Sequence, residues 1–246
     1  MNCTIKRYLK IVEGNIADYK PLSRFHYRDS QTGPVSAVYK IIDTHPMRQQ
    51  IEPVVGIIVY SMPVCSVQLR NIATKGLFTK LGSANANMQI VNNNVRTIAR
   101  VVIEPRYRAL GLAYELVQKT MPLLEMPYIE ALAVMGKVNP FFEKAGMMKY
   151  EGAKSPRCVQ LRQALSAVGV EQSDLVDIER THSILQSLNE KQKAFIEKQI
   201  MYFLSAYGRR AKTLPDSFQR TEFFISRLSD RPVYYLWRNA DCDLKI

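Results

Sequence analysis

The sequence TIARVVIEPRYRALGLAYELVQKTMP, residues 97–122, decides the fold of this chain. Residues 97–104 are rich in β-branched apolar side chains, which is typical of a strand. Pro105 ends this strand because proline has no amide hydrogen to donate to a sheet. An amphipathic helix follows, with one side formed by Leu112, Leu116, Val117 and Thr120. The stretch therefore predicts a strand, a short loop and a helix in succession.

The start of this helix is a predicted anion site. The first amides of a helix point outward without partners, and the helix dipole places about half a positive charge there. Gly111 and Ala113 keep the loop free of bulky side chains, so a ligand can approach the backbone closely.

Two motifs resemble those of a known family. Arg108-x-x-Gly111-x-Ala113 resembles the R/Q-x-x-G-x-G/A pyrophosphate loop of the GNAT acyltransferases. Residues 138–147, VNPFFEKAGM, follow a predicted strand and resemble the family's second signature, an N-x-x-[FY]-x-x-x-G-[FM] helix. The resemblance extends over residues 5–152. It implies an α/β (α+β) fold with a mixed, mostly antiparallel sheet flanked by helices, to which this chain adds a mainly helical C-terminal extension.

The resemblance also implies acetyl-CoA, or another acyl-CoA, as the bound cofactor. The central strand at Val102 and Ile103 would hold the pantetheine arm, and the second signature would contribute Asn139 and Phe142. The pyrophosphate would be held by the loop residues Arg108, Ala109, Leu110, Gly111, Leu112 and Ala113.

The usual catalytic acid of the family is missing. Many members carry a tyrosine four residues before the glycine of the second signature, and Phe142 stands there in this chain. Phenylalanine has no proton to give, so the acid must come from elsewhere. Glu104, at the end of the central strand, is a candidate base, although a glutamate in such a place is more often simply solvated. Tyr150 lies nearby in sequence but outside the motif.

A second candidate site is the segment Phe25-His26-Tyr27-Arg28. It offers an imidazole that titrates near neutral pH, a phenol and a cationic side chain. A His–Tyr pair early in a basic GNAT-like chain resembles the Mom DNA-modification proteins of phages. Those proteins add a carbamoylmethyl group to adenine, and an iron site has been proposed for them. We therefore predict His26 and Tyr27 to be catalytic; the alternative is a surface histidine and a core tyrosine.

No metal site is predicted. An acidic partner for iron would be expected after the fifth strand, where Val138-Asn139-Pro140 stands instead, so iron is doubtful.

The charge of the chain favours a nucleic-acid partner. The formal net charge is +12 and the pI is about 9.6. Such an excess of positive charge attracts polyanions, and the binding of one acyl-CoA does not require so large a positive charge. The predicted DNA or RNA contacts are Arg28 and the basic turn Arg209, Arg210 and Lys212. The alternative is that many soluble proteins are basic without binding nucleic acid.

The 246 residues are predicted to form an acyltransferase domain, 1–158, and a helical extension, 159–246, that packs on it and ends in an aromatic strand. Tyr234, Tyr235 and Trp237 of that strand are either core or base-stacking residues. The asparagine-rich residues 81–94 predict a long loop, a candidate substrate flap.

The remaining features predict a cytoplasmic protein with no membrane partner. The sequence contains no apolar run long enough to span a bilayer, and its four cysteines are far apart. The sequence leaves open whether the chain forms a homodimer.

The preferred interpretation is an acyl-CoA-dependent transferase that modifies a nucleic-acid base. Two alternatives remain. One is a conventional N-acetyltransferase acting on a small-molecule or protein amine. The other is a catalytically inactive GNAT-like binding module, which Phe142 makes credible.

Overall fold

The structure, a computed structural model, describes residues 4–26, 32–48, 53–79, 83–134, 136, 138–152, 155–171, 173–228 and 232–245. The chain divides into two compact units. Unit 1 comprises Met1–Glu151 and Pro232–Ile246, and unit 2 comprises Gly152–Arg231. Unit 2 is therefore an insertion in the sequence of unit 1, before its last strand. The expected boundary between residues 158 and 159 falls within the first helix of unit 2, and the packing of the helical segment on the core stays a prediction.

Unit 1 contains seven strands and five α-helices among its described residues. The strands are β1 (Leu9–Glu13), β2 (Val35–Asp43), β3 (Val54–Ser61), β4 (Val95–Ile103), β5 (Tyr128–Ala133), β6 (Met148–Tyr150) and β7 (Val233–Arg238). The helices are α1 (Lys20–Ser23), α2 (Gln68–Ala73), α3 (Ala84–Asn94), α4 (Leu112–Thr120) and α5 (Phe141–Lys144).

The strands form one sheet in the order β1-β2-β3-β4-β5-β7-β6. Neighbouring strands are antiparallel except β4 and β5, which are parallel. The predicted fold class, a mixed and mostly antiparallel sheet flanked by helices, is confirmed. The aromatic strand predicted near the C-terminus is β7, which lies between β5 and β6.

Both faces of the sheet are covered by apolar side chains. Leu116 and Val117 of α4 and Phe142 of α5 pack on one face, against residues that include Ile98 and Tyr235. We call this the α4 face. On the opposite face, the α1 face, Leu22 contacts a cluster formed by Val38, Ile57, Val59 and Val102.

The loop prediction for residues 81–94 is wrong over most of its length. Residues 81 and 82 lie outside the described residues, and α3 occupies 84–94. The Ser83 side chain accepts a 3.1 Å hydrogen bond from the amide of Ala86 and so caps the helix. Val91 and Asn94 are buried, and the Asn94 side chain bonds to the backbone of Lys245 at two points. Capping and burial thus outweigh the low helix propensity of asparagine, and no long loop remains to serve as a flap.

Unit 2 has its own helical core. Its helices are α6 (Pro156–Ala167), α7 (Ile178–Ser187), α8 (Glu190–Leu204), α9 (Arg209–Lys212) and α10 (Phe218–Leu228). Leu161, Ile200, Phe203 and Phe224 lie in one buried apolar cluster. Asn189 and Gln192 form a capping box at the start of α8, with reciprocal bonds between their side chains and backbones. None of the helices in the described part of the chain is long and apolar enough to cross a membrane.

Candidate functional site

The parallel strands β4 and β5 separate to form a fork. They pair over four residues, from Val95 with Tyr128 to Ile98 with Ala131. Both strands are described in full, and no pair follows beyond that point, although β4 continues to Ile103. The outward-facing backbone groups of residues 99–103 therefore have no strand partner on the β5 side. Backbone amides and carbonyls require partners, so this edge can bind an extended chain that carries amides of its own.

A β-bulge in β4 lies where the fork begins. Val59 pairs with Arg100, whereas the next residue, Tyr60, pairs with Ile98, so Ala99 is the extra residue. A bulge of this kind bends its strand and increases its twist. The bend gives a physical reason for the separation of β4 from β5 at this point.

The mouth of the fork opens towards the predicted anion loop. The strands pair near their N-terminal ends, and the chain runs from the C-terminal end of β4 through residues 104–111 into α4. Ala109 and Gly111 both have positive φ angles, +62° and +76°. For alanine this region is strained, and such strain is concentrated at functional sites in proteins. The left-handed residues give the loop a compact, turned backbone directly before the helix.

The start of α4 has no side-chain cap. Gly111 is the N-cap residue and offers no hydrogen-bond acceptor from a side chain. The first-turn amides therefore lack the partner that serine or aspartate would provide. A Cβ atom added at Gly111 would lie 3.4 Å from the Tyr114 ring and 3.9 Å from Lys6 Nζ. Lys6 thus places a cationic group beside the predicted pyrophosphate loop.

Lys6 also lines a cavity of about 260 Å³ next to the loop. Its ammonium group is paired with Glu115, in the first turn of α4. The residues that line the cavity are Lys6, Leu9, Ile11, Ile41, Leu112, Glu115 and Lys119. The cavity beside the helix start is therefore lined by both charged and aliphatic side chains.

Three side chains hold the loop in place. Glu104, one of the predicted catalytic residues, accepts bonds of 2.9 and 2.8 Å from the amide and Nε of Arg106. Arg108 Nε donates to the carbonyl of Ile103 at 3.2 Å, at the mouth of the fork. Tyr107 donates from its hydroxyl to Asp43, at the end of β2. The contacts of Glu104 are those of a structural carboxylate, and its role as a base stays a prediction.

Asp43 is held in its charged form. It accepts hydrogen bonds from the Arg48 guanidinium, the His45 amide and the Tyr107 hydroxyl. Burial alone would raise the pKa of Asp43, but these hydrogen bonds and the charge of Arg48 together lower that pKa below its usual value. Burial and the bond to Asp43 raise the pKa of Tyr107. The phenol therefore stays protonated as the donor.

Phe142 lies in the core of the α4 face rather than in an open cleft. It is 5% exposed, and its ring centroid is 5.1 Å from that of Tyr235. Tyr235 in turn donates 3.1 Å bonds to the Gly136 carbonyl and to Glu143. Burial and the bond to Glu143 raise the pKa of Tyr235 to about 12. Asn139, the other predicted residue of this segment, is exposed.

A buried polar cluster lies at the last paired positions of the fork. Glu130 accepts bonds from Arg70 Nε and Nη2, at 2.8 and 2.6 Å, and both residues are 1% exposed. Thr97 and Tyr234 each donate a 2.8 Å bond to the same carboxylate. Burial, followed by the charge of Glu130, raises the pKa of Tyr234. The Arg70–Glu130 pair therefore joins α2 to β5 where β4 and β5 begin to separate.

The remaining predicted residues lie in three places. His26 follows α1, and its amide donates to the Ser23 carbonyl at 2.9 Å. Tyr27 and Arg28 lie outside the described residues. Arg209, Arg210 and Lys212 are exposed on α9. Tyr234 and Tyr235 are buried in the sheet, where they cannot stack on bases, while Trp237 is partly buried.

In the described part of the chain, no group of three or more His, Cys, Asp or Glu side chains is placed to hold a metal ion.

Sequence reasoning missed Lys6, Asp43, Arg70 and Glu130. Each acts through a partner distant in the chain: Glu115, Tyr107 and, for the buried pair, one another. A single sequence carries no signal for such pairings. The exception is Glu130, the acidic residue within the apolar strand YIEALA. Burial of an unpaired charge costs free energy, so an acidic residue in such a strand indicates a partner of opposite charge.

Comparisons with known proteins give only distant similarities. No protein-family model matches the chain, and no curated protein matches it significantly. The structure is similar to that of Arabidopsis thaliana NAA60 in complex with acetyl-CoA, with 12% identity and a TM-score of 0.39, covering 60% of this chain and 92% of that one. It is also similar to AtaT complexed with acetyl-methionyl-tRNAfMet, with 17% identity and a TM-score of 0.35, covering 59% of this chain and 90% of that one.

Proposed function

We propose that this chain is an acyl-CoA-dependent transferase of the GNAT type that acts on a nucleic-acid base. One observation carries the first part: the fork between β4 and β5 opens towards an uncapped helix start. An unpaired strand edge and an anion-binding helix terminus, placed end to end, fit a ligand with an amide-bearing arm and a pyrophosphate.

The residues of this site fit acyl-CoA. The stretch of β4 that contains Val102 and Ile103 has no strand partner on the β5 side, and its outward-facing backbone groups would bind the amides of the pantetheine arm. The amides from Arg108 to Ala113 would bind the pyrophosphate, and the Lys6 ammonium group, paired with Glu115, lies beside Gly111. When bound, acyl-CoA supplies an activated acyl thioester.

Proton transfer is assigned to His26 and Tyr27. Phe142 has no ionisable group, so the base that deprotonates the acceptor must come from another segment. Two side chains before His26 pack near β4: Leu22 lies in the apolar cluster that contains Val102, and the partly buried Phe25 packs against that cluster. This packing supports a position of His26 near the strand that forms one side of the fork.

A nucleic-acid base is the acceptor that the charge favours. The net charge of +12 comes from both units, since each has more Lys and Arg than Asp and Glu. The exposed Arg209, Arg210 and Lys212 provide phosphate contacts in unit 2.

A second candidate function is a binding module without catalysis. The buried position of Phe142 against Tyr235 favours it, because the place of the usual acid is filled by apolar packing.

Transfer of radiolabelled acetyl groups tests the proposal. The protein is incubated with labelled acetyl-CoA and with single-stranded DNA, duplex DNA, RNA, polyamines or peptides in parallel. We expect label in the nucleic-acid fraction, and mass spectrometry of digested nucleosides then identifies the modified base. Label only in polyamine or peptide would contradict the acceptor assignment. Acetyl-CoA binding without transfer to any acceptor would favour the binding module.

A further inference from the structure

One exposed side of α8 in unit 2 is both aromatic and basic. Its exposed side chains recur at helical spacing and are Lys191, Ala194, Phe195, Lys198 and Tyr202, which we call the α8 face. Phe195 is 45% exposed and Tyr202 is 46% exposed. Large aromatic side chains are mostly buried in soluble proteins, so two of them on one helix side require a reason.

The neighbouring helix α6 adds charge to this surface. The Arg157 guanidinium carbon lies 4.8 Å from the centroid of the Tyr202 ring. The two helices are adjacent there, as Gln160 Nε2 donates a 2.8 Å bond to Gln199. The sequence of α6, PRCVQLRQALSA, contains no acidic residue. Arg157 thus covers part of the Tyr202 ring. Helix α6 contributes no carboxylate that could neutralise the α8 face.

The acidic residues of α8 do not neutralise the face either. Glu197 accepts two 2.7 Å bonds from the Arg220 guanidinium. Glu190 is exposed in the first turn of the helix and forms no ion pair with the described lysines of the face. Among the described residues, the ion pairs include none formed by Lys191, Lys198 or Arg157. The α8 face, together with Arg157, therefore presents three cations without an ion pair to any described residue: Lys191 before the two exposed rings, Lys198 between them, and Arg157 of α6 against the Tyr202 ring.

We infer that the α8 face, together with Arg157, binds single-stranded nucleic acid through its unpaired bases. Aromatic rings stack on bases, and adjacent cations bind the phosphates. Phe195 and Tyr202 are two helical turns apart, about 10 Å, so they contact separate bases of one strand. In a duplex the bases are stacked on one another inside the helix, so they offer no free face on which Phe195 and Tyr202 could stack. The inference rests on the proposed nucleic-acid acceptor and names the surface that holds the strand.

Fluorescence anisotropy with labelled oligouridine, oligothymidine and a blunt duplex tests this inference. The variant Phe195→Ser/Tyr202→Ser removes both rings and keeps every charge. Phe218→Ser is the matched control, because Phe218 is 41% exposed on α10, outside the α8 face. We expect the double variant to lose affinity for single strands by about fivefold or more per ring, and the control to bind like the wild type. Thermal melting followed by circular dichroism verifies that each variant is folded.

Three results would overturn the inference: wild-type affinity in the folded double variant, an equal loss in Phe218→Ser, or an equal loss for the duplex. Ultraviolet crosslinking to oligouridine gives a second readout. Crosslinks are expected on the peptides that contain residues 195 and 202, and crosslinks confined to other peptides contradict the assignment. Binding of either oligouridine or oligothymidine supports it, since both present unpaired bases.

Calorimetric titration of acetyl-CoA into the same proteins separates this inference from the proposed function. Single-strand binding through the α8 face without acetyl-CoA binding would contradict the transferase and leave the inference standing. Acetyl-CoA binding without single-strand binding would overturn the inference and leave the acyl-CoA site standing.

Discussion

The hydroxyl of Tyr107 donates a 2.8 Å hydrogen bond to Asp43 Oδ2, and this bond connects the loop before α4 with the end of β2. Arg48 bonds to the same carboxylate. Because Tyr107 directly precedes Arg108, the position of the predicted pyrophosphate loop depends on a carboxylate from a strand that lies two places from β4 in the sheet.

Removal of this bond should weaken acetyl-CoA binding although it removes none of the groups predicted to contact the ligand. We expect Tyr107→Phe to lower the stability of the protein by roughly 1.5–3 kcal/mol, the contribution of a hydrogen bond to a charged acceptor. Affinity for acetyl-CoA should fall with it, because the loop is less firmly held. Chemical denaturation and calorimetry measure the two effects. Unchanged stability and affinity would show that the bond does not position the loop.

The same carboxylate predicts a pH dependence of stability. The pKa of Asp43 is lower in the folded protein than its ordinary value of about 3.9, so the charged form stabilises the fold. This contribution is fully present above pH 5 and is lost as the pH falls through the lowered pKa. The difference in melting temperature between wild type and Asp43→Asn should therefore be constant from pH 5 to 7 and shrink below about pH 4. A difference independent of pH down to pH 2 would contradict this.

The buried Arg70–Glu130 pair predicts a non-additive double-mutant cycle. Arg70→Met leaves the Glu130 carboxylate buried without its cation, and we expect a loss of about 3–5 kcal/mol in the free energy of unfolding. Adding Glu130→Gln should restore part of this loss, since no unpaired charge then remains. Urea denaturation of the two single variants and the double variant measures the coupling. Additive losses would mean that the two side chains do not depend on one another.

Substitution of His26 tests the assignment of proton transfer. We expect His26→Ala to lower turnover by about 10²- to 10⁴-fold, the usual contribution of a general acid or base, with acetyl-CoA affinity nearly intact. The turnover of Tyr27→Phe should be lowered by a factor in the same range if the Tyr27 phenol takes part in proton transfer. His45→Ala is the matched control, because His45 is far from α1 in sequence and its ring meets the Tyr8 ring edge-on, with ring centroids 4.6 Å apart. Full activity in both test variants would refute the role.

Binding of nucleic acid should depend steeply on salt. If about six phosphates are contacted, affinity falls by roughly 10³-fold between 50 and 200 mM salt. We expect Arg209→Gln/Arg210→Gln/Lys212→Gln to reduce the slope of log affinity against log salt by about two to three, because each lost phosphate contact removes about one counterion. An unchanged slope would exclude α9 from the interface. No binding at low salt would remove the main support for a nucleic-acid acceptor.

The sequence predicted the local parts of the fold well and the long-range parts poorly. The strand before Pro105, the helix from Leu112 and the capping box at Asn189 follow from spacing and capping chemistry within a few residues. The Ala99 bulge depends on pairing with β3, and the α3 helix depends on contacts between Asn94 and Lys245. Neither interaction is visible in a local window of sequence.

The local features of the candidate site could likewise be predicted from the sequence, whereas its long-range contacts could not. Gly111 was predictable because a single motif places glycine at a helix start, and its φ of +76° supplies the physical reason. The Tyr107–Asp43 bond and the position of Lys6 beside Gly111 join segments far apart in the chain, so only the folded structure brings them together.

Calorimetric titration of acetyl-CoA into wild type, Gly111→Glu and Gly169→Glu tests the central claim most directly. Both glycines have positive φ, +76° and +91°, so both substitutions strain the backbone and add the same charge. Gly169 belongs to unit 2 and has no atoms within 4 Å of an added Cβ, which makes it the matched control. We expect Gly111→Glu to abolish acetyl-CoA binding and Gly169→Glu to bind acetyl-CoA like the wild type. Equal affinity in all three proteins would contradict an acyl-CoA site at the fork of β4 and β5.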